Sequence, residues 1–103
     1  MKELLLQGEQ PLRCYFTDND LIAAGAMKAL KEAGYKIPGD IAVIGFDNMP
    51  LCTYIDPSLT TVNVPKQYMG KLALHRLLQI MKEPDIYPIK IEVSTSICER
   101  KSI

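Results

Sequence analysis

The sequence predicts an α/β domain built on a parallel sheet, and three observations predict it. Ile41-Ala42-Val43-Ile44-Gly45-Phe46 is an unbroken apolar run, the pattern of a parallel strand covered on both faces. Arg13-Cys14-Tyr15-Phe16-Thr17 is a shorter β-prone run ahead of it, with a helical stretch between the two. Strand, helix and strand within about thirty residues make a βαβ unit, whose crossover is right-handed.

Each element follows from local chemistry. Lys2 to Gln7 reads as the last turns of a helix, closed by Gly8. After the first strand, Asp18-Asn19-Asp20 offers side-chain oxygens to cap a helix from Leu21 to Ala33, which Gly34 ends. The first turns of that helix, Leu21 to Met27, are apolar on every side and call for cover on more than one face. Ile37-Pro38-Gly39-Asp40 turns the chain into the Ile41–Phe46 strand. Leu51 to Ser58 reads as an irregular connection and Leu59 to Val64 as a further strand. Pro65 suits the first position of a helix to Lys82, with Met69, Leu72, Ala73, Leu77, Ile80 and Met81 on its core side. Ile89, Ile91, Val93, Thr95 and Ile97 alternate with polar residues, the signature of a strand with one wet face near a sheet edge.

These elements leave the all-apolar helix start and the buried strand short of partners. The pattern predicts a piece of a larger α/β protein, since a chain of 103 residues holds one small domain at most. Hydrophobic residues at 48% and charged residues at 23% exclude a disordered tail or a coiled coil. Twelve Lys and Arg offset twelve Asp and Glu, so no basic excess marks a duplex-binding surface. The three cysteines, Cys14, Cys52 and Cys98, form no Cys-x-x-Cys pair, and the single His75 stands apart from them. That spacing predicts no zinc site, and it reads as buried, unpaired thiols of a reducing cytoplasm. No stretch approaches the ~20 apolar residues of a membrane span.

Ligands of parallel α/β sheets bind beyond the carboxyl ends of the strands. Asp18-Asn19-Asp20 follows the first strand there and Asp47-Asn48 the second. Carboxylates accept two hydrogen bonds and Asn both donates and accepts, a set suited to hydroxyl-rich or amine-bearing small molecules. The plainer alternative is that Asp20 caps the helix and Asp47 solvates a turn. Magnesium is a third possibility for such a cluster, but no phosphate-cradling glycine loop accompanies it. No nucleophile and base pair up, so no catalytic residue is assigned and the chain is not read as an enzyme.

Longer stretches carry a resemblance. Phe16-Thr17-Asp18-Asn19-Asp20-Leu21-Ile22-Ala23-Ala24-Gly25-Ala26 is similar to the "Asn-Asp-x-x-Ala-x-Gly" segment of lactose-repressor-type (LacI/GalR) transcriptional regulators. Gly34 to Asn48 resembles their "Gly-x-x-Val-Pro-x-Asp-Ile-x-Val-x-Gly-Phe-Asp" run, and Pro57 to Val62 their "Pro-x-Leu-Thr-Thr-Val". Glu99-Arg100-Lys101-Ser102 matches the closing "x-Arg-x-Ser". Four matches in order span nearly the whole chain.

The resemblance implies a periplasmic-binding-protein-like (type I) fold, of which this chain is the C-terminal part of a two-lobed effector-binding core. Residues 1–64 and 88–103 would belong mainly to the second lobe and 65–87 to a first-lobe helix and crossover. Asn19 and Asp47 would contact the effector, supported by Asp18, Asp20 and Asn48, with Asp20 capping the helix. It further implies a cytoplasmic homodimer, meeting through Ala24, Met27, Lys28, Tyr54 and Ile55. The effector would be a sugar or related metabolite, with no cofactor and no metal. Operator DNA would be bound only by an N-terminal helix-turn-helix domain not among these residues. A periplasmic sugar-binding protein of an ABC transporter shares the two-lobed fold and is the alternative.

Overall fold

The computed structural model describes all 103 residues, which fall into two units: Met1–Asn63 with Ser96–Ile103, and Val64–Thr95. In the first, helix α1 (Lys2–Leu6) precedes strand β1 (Cys14–Phe16) and helix α2 (Asp20–Glu32). Strand β2 (Ala42–Phe46), helix α3 (Leu51–Tyr54) and strand β3 (Thr60–Asn63) follow, and β4 (Ser96–Cys98) completes the sheet. The second unit holds helix α4 (Lys66–Lys82) and the stretch after it.

The sheet order is β1-β2-β3-β4, with β1, β2 and β3 parallel and β4 antiparallel at the edge. Alternation along β2 buries Val43 and Gly45, while Ala42, Ile44 and Phe46 stay half-buried. Val43 packs with Ile41, Leu59 and Cys52 against Ala23, Met27 and Leu30 of α2. The opposite face leaves Phe16 64% and Ile97 62% exposed, although Phe16 and Phe46 meet edge to face at 6.4 Å. Within this unit, cover on both faces of Ile41–Phe46, expected from its continuous apolar run, is therefore supplied on one face only. For the same reason Cys14 is exposed rather than buried: strand alternation turns it to the side opposite Tyr15.

Two further expectations are corrected. Leu51–Tyr54 is a short helix rather than irregular chain. The alternating segment from Ile89 forms a strand only at Ser96–Cys98, because its partner β3 ends where Asn63 meets Ser96. Alternation without a ladder partner does not make a strand. The apolar turns of α2 are covered on one side, leaving Leu21 62% and Ile22 50% exposed. Gly34 ends the helix in the left-handed region at φ +90°.

In the second unit, α4 has no buried residue. Leu72, Leu77 and Ile80 face Ile89, Ile91 and Val93 across an open apolar cleft, and the Arg76 guanidinium donates to Tyr87 O. His75 is exposed.

Candidate functional site

The pairing of β1 with β2 brings the two polar strand-end segments to one edge of the sheet. Thr17 N donates to Ile44 O at 3.0 Å and Asp47 N to Val62 O at 3.0 Å, extending the ladder to the residues next to the site. Asn19 is extended (φ −158°, ψ 168°), and its Oδ1 accepts from Ile22 N at 2.9 Å. Asn19, not Asp20, therefore caps α2. Its position outside the first helical residue gives its side chain the reach to that orphan N–H.

Asp20 has a different role. It is 0% exposed; its Oδ1 accepts from the Thr61 hydroxyl and its Oδ2 from Met49 N, each at 2.6 Å. An unpaired carboxylate could not be buried there, and these charge-assisted bonds are what make burial tolerable. Thr61 Oγ1 in turn accepts from Asn48 N at 3.3 Å. One buried carboxylate thus ties the start of α2 to the loop that carries Asp47 and Asn48. Gly45 makes room for it: a Cβ there would collide with the Asp20 carboxylate and lie 2.9 Å from Leu59 Cδ2.

Asp47 and Asn48 both have positive φ, 107° and 50°. Non-glycine residues seldom adopt this region, Asn and Asp least unwillingly, and such residues gather where a turn has to aim a side chain. Both are half-buried, whereas Asp18 is exposed. Asn19 thus follows β1 and Asp47 and Asn48 follow β2 at the same edge of the sheet, with Asp18 exposed and Asp20 buried. No group of three or more His, Cys, Asp or Glu side chains converges in a way that could hold a metal.

Burial pushes the Cys52 thiol up to about 12, reinforced by its hydrogen bond to Asp20. It is a packed, protonated side chain rather than a nucleophile.

Thr61, Arg100 and Asn63 were not singled out from the sequence as site residues. Arg100 Nη2 donates to Asn48 Oδ1 at 2.7 Å, and Asn48 Nδ2 donates to Asn63 Oδ1 at 2.9 Å. The only sequence signal for Thr61 and Arg100 was their place in the Leu-Thr-Thr and Arg-x-Ser motifs. Ala24, Met27, Lys28 and Ile55 line one cleft together with Lys31 and Asp56. Met27 is only 3% exposed and belongs mostly to the core, and Tyr54 is 84% exposed.

Fold and strand-end geometry define the class: residues 2–103 match the periplasmic binding protein-like domain. Over 99 residues the chain is 39% identical to the HTH-type transcriptional repressor PurR of Vibrio atlanticus (strain LGP32), covering 96% of this chain and 30% of that protein. It is 35% identical to the ribose operon repressor of Escherichia coli (strain K12), covering 99% of this chain and 31% of that protein. A LacI family transcriptional regulator from Enterococcus faecalis V583, solved with bound ribose, superposes with a TM-score of 0.89 at 31% identity. That match covers 98% of this chain and 38% of the other. The chain belongs to the periplasmic binding protein-like domain family, in the form found in lactose-repressor-type regulators. It spans about 30% of the length of the curated relatives it matches. Those relatives are repressors rather than enzymes, and no helix here is long and apolar enough to cross a membrane.

Proposed function

We propose that this chain is the C-terminal part of the effector-sensing core of a LacI-type transcriptional repressor, where a sugar or related metabolite binds between two lobes and changes operator affinity. Residues 1–64 and 88–103 then contribute mainly to the second lobe and 65–87 to the first. Asn19 and Asp47 contact the effector. The observation that carries this reading is that Asn19 and Asp47 follow adjacent parallel strands at one edge of the sheet, with Asp47 in a left-handed turn tied to a buried carboxylate. A carboxylate there accepts two ligand hydroxyls, the recognition a pentose or hexose needs. The ribose operon repressor and the ribose-bound regulator among its relatives make D-ribose the first probe. Their character as regulators favours this over a solute-binding protein of a transporter.

Coupling follows from linkage: an effector that binds one arrangement of the lobes better shifts the protein toward it, and operator affinity shifts with it. DNA is met by a separate helix-turn-helix domain, in keeping with a net charge of zero here. No cofactor takes part, and the protein works as a homodimer in the cytoplasm. Losing a hydrogen bond to a charged group costs about 1.5–3 kcal/mol. Asp47→Ala in the full-length protein is therefore expected to weaken D-ribose binding by about ten- to a hundred-fold, read by calorimetry, with the thermal midpoint nearly unchanged. Wild-type affinity in the folded variant would remove Asp47 from the site. The dimer reading rests on the cleft at Ala24, Lys28 and Ile55. Ala24→Glu in the full-length protein is expected to sediment as a monomer, and an intact dimer would place the contact elsewhere.

A further inference from the structure

Arg100 grips the Asp47–Asn48 turn from behind. Its guanidinium spans two acceptors, donating from Nη1 to Leu59 O and from Nη2 to Asn48 Oδ1, both at 2.7 Å. Its own backbone is anchored, since Arg100 N donates to Thr60 Oγ1 at 2.8 Å. Two residues on, the Ser102 hydroxyl accepts from Thr60 N at 2.9 Å and donates to Val43 O at 2.6 Å. The guanidinium is therefore planted on β2 and β3 rather than swinging from a free tail. At the other end of the grip, Asn48 sits at φ 50°, and its amide is also held by Asn63. The backbone of the turn is held by Asp47 N on Val62 O, Asn48 N on Thr61 Oγ1 and Met49 N on Asp20 Oδ2, and the Arg100 clamp adds a hold on the Asn48 side chain itself.

We propose that Arg100 is a positioning residue for effector recognition, acting through the Asn48 side chain to hold the turn that presents Asp47. The proposal rests on the reading that Asp47 contacts the effector. Pre-ordering this turn means that binding does not have to order it, so the clamp contributes affinity without touching the ligand.

The test is a double-mutant cycle in the full-length protein, with D-ribose binding read by calorimetry and folding by the thermal midpoint. Asn48→Gly keeps the left-handed backbone free of strain while removing the clamp, and Arg100→Met removes it from the other side. Each single variant is expected to weaken binding about tenfold, and the double variant no further, because both cut one connection. Separate losses that multiply, or a folded Asn48→Gly with wild-type affinity, would overturn the proposal. Asn48→Gly leaves Arg100 in place on Leu59 O but also frees Asn63, so Asn63→Ala is the control: it is expected to bind as wild type does, and a tenfold loss there would assign the effect to that bond and overturn the proposal.

Asp47→Ala separates this proposal from the one beneath it. If Asp47→Ala binds as wild type does, the site reading fails. If it loses affinity while Asn48→Gly does not, only the positioning role fails. Should the wild-type protein not take D-ribose, amide hydrogen exchange at Asn48 and Met49 decides. Faster exchange in both single variants, with no further gain in the double, supports the clamp, and unchanged exchange refutes it.

Discussion

The two units of this chain differ in what holds them. Met1–Asn63 with Ser96–Ile103 has a closed apolar centre in which Ala23, Leu30, Val43, Cys52 and Leu59 are fully buried. No buried side-chain nitrogen or oxygen atom of the chain lacks a hydrogen-bond partner. Val64–Thr95 has no such centre: Leu74, Leu77, Leu78 and Ile80 of α4 are each at least 43% exposed. The first unit has a buried core of its own, whereas the second has a helix with no buried residue. The difference teaches that hydrophobic pattern alone does not say which protein segment will do the covering.

The largest effect that would test the comparison lies where the first unit is tightest. Gly45 has the Asp20 carboxylate and Leu59 against the site a side chain would fill. Overfilling a packed core costs typically 1–3 kcal/mol and occasionally more, and here the displaced group is a buried carboxyl group held by Met49 N, the Thr61 hydroxyl and the Cys52 thiol. Gly45→Val is expected to cost about 3 kcal/mol by urea unfolding and to weaken D-ribose binding in the full-length protein. A cost below about 1 kcal/mol would mean that the Asp20 pocket yields easily and is not the rigid floor of the site.

The same contrast explains how much of the molecule was legible in its sequence. Apolar runs and caps located β1, α2, β2, β3 and α4 to within a residue or two, because those signals are local. Gly34 announced its left-handed φ for the same reason. The role of Asp20 was not legible, since its partners Met49 and Thr61 are 29 and 41 residues away. Asn19 and Asp20 both look like caps as letters, and only the direction of each side chain separates them. Arg100 is 52 residues from Asn48, and no periodicity connects them. The apparent strand from Ile89 to Thr95 failed in the opposite way. Its alternation is real, but a strand also requires a partner that β3 is too short to provide.

A smaller effect tests the interior by pH. The Cys52 thiol rises from 9.0 to about 12 on folding, mainly through burial. A group whose pKa is raised in the folded state stabilises fully while the unfolded thiol is still protonated. That contribution is present below about 9.0 and declines as pH climbs toward about 12. The slope cannot exceed about 1.4 kcal/mol per pH unit. Urea midpoints are expected to fall between neutral pH and about pH 10, and less steeply in Cys52→Ala. Exposed Cys14 is expected to react with a thiol reagent in the folded protein while Cys52 does not. Rapid labelling of Cys52 would show that the first unit opens more readily than its packing implies.

The effect expected to be smallest within these 103 residues falls on the second unit and bears most directly on the comparison. Leu77 of α4 is 54% exposed and lines the open cleft facing Ile89 and Ile91. Within these 103 residues, Leu77→Ala removes little packed surface, so its cost is expected to stay within about 0.5 kcal/mol. If α4 is covered by first-lobe chain in the full-length protein, the same change there opens a cavity and costs about 2–5 kcal/mol. Urea unfolding of both forms measures the difference directly. The ratio matters more than either value, because it compares one side chain with and without its covering partner. A small cost in both would mean that the apolar side of α4 stays uncovered in the longer protein, and that its leucines serve some contact other than the first-lobe core. A large cost in both would mean that the second unit carries a core of its own, and the contrast between the two units would fall.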